Sequence, residues 1–392
     1  MNRQLWLLAL CQGLFLTNNV TFIAINGLVG LSLAPKAWMA TLPVMGYVVG
    51  GALSTGLVAR TQRRFGRQVS FQTGLLVAIF SSLLCAYATW QRQFPLLLLA
   101  TVIAGYYSAN GQLYRYAATQ LASTAYRDKA ISMVLAGGLI GGVVGPWLAS
   151  HTREFFAVPF VGAYLALAVV ALLGMGVMAF IRFPEPPAAR GPSTAGRPLR
   201  EIIRQPVFIV AAAAASLSYG VMSLLMAASP LAMQGCGYPF DDAALVLEWH
   251  VIGMFAPGFF TGHLIRRFGV LPVMGAGVGL NLACIALALA GVAFANFLGA
   301  LFLLGVGWNF LFTGSTTLSL EAWEPAEQDR GQAAINFLVF ATMAVTSFAS
   351  GALVTSSGWS LLNIGSLLPV ALAAAALLWL AWLRRQPRIA AT

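Results

Sequence analysis

Apolar runs of roughly twenty residues, parted by short polar breaks, recur about twelve times along the chain, each long enough to cross a bilayer core as a helix. They fall at 4–30, 38–59, 70–90, 95–119, 131–151, 158–181, 205–233, 243–265, 271–291, 295–318, 332–354 and 360–383. None shows the two-residue alternation of a barrel strand, and a run this uniformly apolar satisfies its backbone polar groups in lipid only as a helix. The pattern predicts an all-α polytopic membrane protein with twelve transmembrane helices. The first run is too long for a signal-peptide core and is read as a retained helix.

The polar breaks carry the organisation. The longest, "RFPEPPAARGPSTAGRPLREIIRQP" from Arg182 to Pro206, is rich in Pro, Gly and Arg and too poor in apolar residues to form a core. It divides the chain into an expected first bundle of six helices at 1–181, a linker at 182–204, and a second bundle at 205–392. The halves echo each other: "RRFG" stands at 63–66 after the second run and at 266–269 after the eighth. A second echo pairs "YRDKAIS" before the fifth run with "EQDRGQAA" before the eleventh. Both have an offset of about 200 residues, as duplication of a six-helix unit would leave.

Composition removes the soluble alternatives: 59% of the 392 residues are apolar, 8% are charged, and mean hydropathy is +0.82. A net charge of +11 would suggest nucleic acid were it spread evenly. It is not. Counting loops from a cytoplasmic N-terminus puts Arg60, Arg63, Arg64, Arg67, Arg127, Lys129, Arg182, Arg190, Arg197, Arg200, Arg204, Arg266, Arg267, Arg330, Arg384, Arg385 and Arg388 on the cytoplasmic side. Only Lys36, Arg92 and Arg153 fall opposite. That asymmetry predicts an inner-membrane protein with both termini cytoplasmic, in contact with lipid and with no nucleic-acid partner. Cys11, Cys85, Cys236 and Cys284 show no paired spacing, so no disulfide framework is expected.

Ionisable groups inside the spans are few, and each costs on the order of 3 kcal/mol at the bilayer centre, so those present are informative. Glu248 is the one carboxylate inside a predicted span, and His250 the one histidine well inside one. His250 and Met254 stand four apart on the eighth run, as Met222 and Met226 do on the seventh, so each pair shares a helical face. Counted at 1.5 Å per residue, the two pairs lie within roughly one turn of the same depth. Three thioethers and an imidazole form a soft, neutral, exchangeable set suited to Cu(I). Methionine is also a common filler of helix interfaces, and one such pair alone reads as packing. Glu248 is two residues from His250, about 200° round the helix, where it serves either proton coupling or the outer end of the helix. Asn18, Asn19, Tyr107, Asn110, Tyr114, Trp308, Asn309 and Asn336 are candidates to line a central cavity, with interhelical hydrogen bonding as their alternative. Arg115 is placed to snorkel or to close a gate. Asp241 and Asp242 stand at the outer mouth, as a cation attractor or a solvated pair.

With two parallel six-helix repeats and a central loop, the chain resembles the major facilitator superfamily over essentially its whole length. The family's loop signature, a Gly followed by Asp-Arg-x-Gly-Arg, is represented by "GLVARTQRRFGRQ" and "GHLIRRFG", with Arg63 and Arg266 where the family usually has Asp. The fifth run carries "GGLIGGVVGPWLA", similar to a Gly-Pro motif of proton-coupled antiporters and equally a close-packing stripe with a Pro kink. "MSLLM" and "HVIGM" look like the paired motifs of CcoA-type bacterial copper importers within the superfamily. That resemblance implies Met222, Met226, His250 and Met254 as ligands and Cys236 as a metal relay. It further implies copper as transported substrate, copper chaperones as partners, and a role in supplying haem-copper oxidase assembly. A monomer with no organic cofactor is expected. The alternative is a proton-coupled exporter of hydrophobic organic solutes or drugs. No phosphate-binding loop and no nucleophile with its base occur, so neither ATP-driven transport nor an enzyme is expected.

Overall fold

The computed structural model describes residues 3–122, 127–183, 197–324 and 327–385, and every regular element among them is helical. The first half contains α1 (Arg3–Leu33), α2 (Leu42–Trp90), α3 (Phe94–Gly111), α4 (Tyr114–Leu121), α5 (Arg127–Thr152) and α6 (Val161–Ala179). The second contains the short α7 (Leu199–Ile202), α8 (Pro206–Gly235), α9 (Phe240–Phe255), α10 (Gly258–Phe268), α11 (Val270–Leu289), α12 (Phe294–Ser319) and α13 (Gln328–Arg385). Among the described residues eight helices are long and apolar enough to span a membrane, or nine if the bent pair α9 and α10 is one span. Gly66 divides α2 and Gly358 divides α13 into two legs each, and α5 completes twelve crossings among the described residues.

The expected spans and the helices differ where backbone chemistry intervenes. The eighth run breaks at Ala256 and Pro257 with a 42° bend, because proline has no N–H for the carbonyl four residues earlier. The fourth run breaks at Gln112 and Leu113 into α3 and α4. Pro146, Pro230 and Pro369 are carried inside continuous helices. The paired "RRFG" segments turn alike: Gly66 has φ 83° and ψ 170°, Gly269 φ 91° and ψ 160°. Both need the left-handed region that only glycine enters without strain. In each corner the second Arg lies over the following Phe ring, at 5.2 Å for Arg64 and 5.3 Å for Arg267.

Small residues set the helix spacing. The glycines of "GGLIGGVVGP" press α5 against α1, with Gly137 on the Ala9 carbonyl and Gly141 on Thr17, while Gly142 meets Val251 of α9. In the second half Gly253 and Gly305 bring α9 and α12 into backbone contact. Close approach of this kind replaces the hydrophobic driving force that lipid removes.

The two bundles also meet at the end opposite the chain termini, here called the far end. There the Thr41 hydroxyl accepts from the Gly351 N–H at 3.0 Å, Trp38 packs edge-on to Phe348, and Phe160 packs edge-on to Phe240. The Arg153 guanidinium lies 5.3 Å over the same Phe240 ring. One apolar core at this end mixes Phe22, Ile25 and Leu28 with Leu231, Phe240 and Ala244. Lys36, Arg92 and Arg153 lie here, and the remaining described Lys and Arg of the expected cytoplasmic set lie at the other end. Of the expected linker, residues 184–196 including Arg190 lie outside the described residues, as does Arg388, and nothing is described of the Arg127 and Lys129 side chains.

At the terminal end the chain leaving the linker is fastened to the second bundle. Arg197 donates from its backbone N at 2.7 Å, from Nε at 2.9 Å and from a terminal nitrogen at 2.7 Å to the Glu327 carboxylate, which is 1% exposed. Hydrogen bonds from the guanidinium, joined by the Glu324 N–H, hold the Glu327 carboxyl down to about 2. A carboxyl depressed from its usual value of about 4.3 adds stability above that value and loses it as pH falls toward the folded one. Glu327→Gln should therefore lower the thermal midpoint of the solubilised protein uniformly from pH 5 to 8. The gap to wild type should close only below about pH 4. A gap that changes between pH 6 and 8 would show that another group holds the segment.

Candidate functional site

Midway between the ends, four helices turn one face each into a shared cluster. Val20, Ile23 and Ala24 come from α1, Tyr219, Met222 and Met226 from α8, Leu247, Val251, Met254 and Phe255 from α9, and Trp308 and Phe312 from α12. The spacings i, i+3, i+4 and i+7 that recur here are those of a single helical face. Thus Met222, Met226 and Met254, 5%, 5% and 8% exposed, are brought together as their spacing and depth implied.

The aromatic rings give the cluster its shape. Trp308 stacks on Phe312 at 5.1 Å with 11° between planes, and Tyr219 stands edge-on to both at 5.0 Å. Phe255 meets Trp308 at 6.4 Å. Tyr219 precedes Met222 by three residues, and Phe312 follows Trp308 by four, so periodicity could have found both; neither figured among the candidates.

His250 stands one turn before Met254 on α9 and packs against α12. It is wholly buried, and its Nδ1 lies 2.7 Å from the Leu301 carbonyl oxygen of α12. Gly305 permits this approach: a Cβ built there would overlap the His250 carbonyl oxygen. A carbonyl only accepts, so Nδ1 carries the proton and Nε2, buried and without a partner, presents a bare lone pair. Asn309 serves the neighbouring bend, donating to the Met254 carbonyl at 2.7 Å and accepting from the Thr261 hydroxyl at 2.7 Å. It thereby satisfies a carbonyl at the break before Pro257.

The other candidates lie apart from this cluster. Cys236 is exposed at the far-end cap of α8, ten residues or about 15 Å along the helix from Met226. Glu248 is half-buried beside the exposed Trp249 and points away from the His250 face. Asp241 and Asp242 occupy the first turn of α9, where carboxylates complement the helix dipole. Cys11, Cys85 and Cys284 are buried. Asn18 donates to the Leu167 carbonyl at 3.3 Å; Asn110 accepts from Ser70 and donates to the Tyr106 carbonyl; Tyr107 packs edge-on to Phe15. These three join helices of the first bundle. Asn19 donates to the Tyr47 hydroxyl at 3.0 Å. Asn336 accepts from Gln332 one turn earlier, and the Tyr114 hydroxyl is buried without a partner. Arg115 lies over Tyr116 at 4.8 Å.

The cluster is therefore aromatic and thioether in character and carries one unpaired indole N–H. Such a lining favours flat, neutral, polarisable cargo, and its thioethers also suit a soft cation.

Comparison with known proteins agrees with the fold. The profile of the Major Facilitator Superfamily matches residues 5–256 and 211–391. The riboflavin transporter RfnT of Brucella anthropi is 39% identical over 367 residues, covering 92% of this chain and 91% of that protein. The uncharacterized MFS-type transporter YdeG of Bacillus subtilis is 27% identical, covering 89% and 85%. Among solved structures, a bacterial homolog of the human lysosomal transporter Spinster superposes with a TM-score of 0.72 at 14% identity, covering 95% of each chain. A bacterial homologue of the iron transporter ferroportin superposes with a TM-score of 0.65 at 16% identity, covering 98% and 100%.

Proposed function

The chain belongs to the major facilitator superfamily, and from that premise we propose that it is a secondary transporter that takes up riboflavin, or a flavin of the same ring system. It is a transporter and not an enzyme. The observation that carries the flavin reading is the 39% identity with RfnT, spread over nine-tenths of both chains. The central site is in keeping with it. A tricyclic flavin ring is flat, uncharged and polarisable, and Trp308, Phe312, Tyr219 and the three methionines offer it faces to stack on and soft groups to pack against.

In this reading residues 1–181 and 205–392 are the two moving lobes, and the protein works as a monomer in a bacterial inner membrane. The arginine-rich terminal end faces the cytoplasm. The contacts of Thr41, Trp38, Phe160 and Arg153 then hold the lobes together at the outer face. Alternating access requires those contacts to part while the cytoplasmic ends come together. Glu248 is the membrane carboxylate available for proton coupling.

Copper import is the second reading, favoured by one observation: three thioethers share a cluster, and one turn before Met254 on α9 stands an imidazole whose Nε2 has no partner. Met222, Met226, His250 and Met254 would then hold the ion as cargo, with Cys236 at the outer mouth as the relay and oxidase assembly as the destination. One experiment separates the readings. Riboflavin-auxotrophic cells expressing the chain are given radiolabelled riboflavin or radiolabelled copper. Growth and riboflavin accumulation above empty-vector cells are expected, with copper unchanged. Copper accumulation lost in Met222→Ala, without riboflavin uptake, would overturn the flavin reading.

A further inference from the structure

Two turns face each other across the lobes at the far end: "REFFAVPF" at 153–160, between α5 and α6, and "GYPFDDA" at 237–243, entering α9. Each places a Pro-Phe pair at the start of a helix, and the two phenylalanines, Phe160 and Phe240, meet edge-on with ring centres 5.6 Å apart. Phe160 holds a left-handed φ of 68°, which strains a residue with a side chain, and its N–H is tied to the Arg153 carbonyl at 2.7 Å. Beside that contact lies a cavity of about 310 Å³, at the small end of the size that holds organic ligands. Both lobes line it: Leu28, Arg153 and Phe160 from the first, Gln234, Phe240 and Ala243 from the second. The Arg153 guanidinium lies 5.3 Å over the Phe240 ring, and the side chain is only 21% exposed. It carries several N–H donors, yet among the described residues its one ion pair is with Glu154, at 3.0 Å, whose side chain is 74% exposed. A pair so open to solvent is weak and exchangeable.

We propose that this cavity binds a small aromatic carboxylate, the carboxylate on the Arg153 guanidinium in place of Glu154 and the ring against Phe160 and Phe240. A planar guanidinium takes a free carboxylate through two parallel hydrogen bonds, which fixes the orientation of the ligand as well as holding it. The rest of the lining, with Leu28, Ala243 and three prolines, is apolar and suits a flat ring better than a sugar or a metal ion. Because the walls belong to both lobes, the site is whole only while the far end is closed, and a bound ligand favours that state by its differential affinity. With the far end outside, as the distribution of arginines indicates, such a compound acts as an external brake on uptake. The site is distinct from the central cluster and independent of the cargo, flavin or otherwise.

Calorimetric titration of the full-length protein in lipid nanodiscs compares 2-naphthoate with 2-naphthamide, the same ring with a neutral head. Wild type should bind the acid at least about tenfold more tightly, the effect of a charge-assisted hydrogen bond. Glu154→Gln removes the competing carboxylate at an exposed position and should tighten naphthoate binding about threefold. Arg153→Gln should bring acid and amide within about twofold of each other. Hydrogen exchange at 153–160 and 238–244 should slow when naphthoate binds, because opening of the two turns is then opposed. Equal affinity of acid and amide for wild type overturns the proposal even if no variant folds, and so does the absence of naphthoate binding at about 1 mM. A preference for the acid that survives Arg153→Gln, weaker naphthoate binding by Glu154→Gln, or binding that leaves exchange at both turns unchanged would each overturn it too. Riboflavin uptake is measured separately, so its absence would remove the flavin reading and leave this site standing.

Discussion

Gly305→Val should abolish uptake and lower the thermal midpoint, while Gly279→Val should do neither. A Cβ on Gly305 would overlap the His250 carbonyl oxygen and press on the Met254 N and Gly253 carbonyl carbon. All three are backbone, so no side chain can turn aside, and valine adds two further carbons. The strain of overpacking runs to about 1–3 kcal/mol where a core can adjust, and here it can adjust only by parting α9 from α12. That movement breaks the His250–Leu301 and Asn309–Met254 hydrogen bonds together. Gly279 lies on α11 with open space around its Cβ position, so valine there adds bulk without contact. Uptake by cells and the melting midpoint of the purified variants give the check. Wild-type transport by Gly305→Val would mean that the α9–α12 contact is dispensable.

Trp308→Ala should reduce riboflavin uptake by on the order of a hundredfold in kcat/KM. Stacking of a flat heterocycle on an aromatic side chain contributes about 1–3 kcal/mol, and the indole N–H adds about one more if it donates to the solute. Trp308 also supports the rest of the site, since Tyr219, Phe255 and Phe312 all rest on its ring. Trp308→Phe should fall between alanine and wild type, because the ring faces remain and the N–H does not. Initial uptake rates over a range of riboflavin concentrations, normalised to protein in the membrane, decide this. Alanine and wild type transporting alike would place the flavin elsewhere in the molecule.

The membrane spans were legible because lipid makes a simple demand: about twenty apolar residues per crossing, without interruption. The "RRFG" echo was legible as well, and it marks two corners of nearly the same glycine geometry, at Gly66 and Gly269. Breaks inside runs were harder. Pro257 bends its span, whereas Pro146 and Pro230 lie inside continuous helices, and the residues around them do not tell the two outcomes apart. At the site, spacing and depth brought Met222, Met226 and Met254 together. Spacing could not show what His250 faces, since Leu301 is 51 residues away and approaches only because Gly305 leaves room. Nor could it weigh the cargo. A thioether is at once a soft ligand and an apolar filler, and the aromatic partners that favour the second role, Tyr219 and Phe312, are two among 45 aromatic residues, the sum of 25 Phe, 10 Trp and 10 Tyr. Asn18, Tyr107 and Asn110 resembled cavity residues because a polar group in a membrane helix serves a pathway or a neighbouring helix, and only packing distinguishes the two.

Among the four thiols, only Cys236 is accessible, at the far-end cap of α8. The natural chain is thus nearly a single-cysteine protein for labelling. A membrane-impermeant maleimide applied to intact cells reads which side of the bilayer that end occupies, with no residue changed. A second thiol placed at the exposed Phe155, on the turn between α5 and α6, would give a dye pair with one member in each half. Its separation would follow the opening and closing of the far end one molecule at a time.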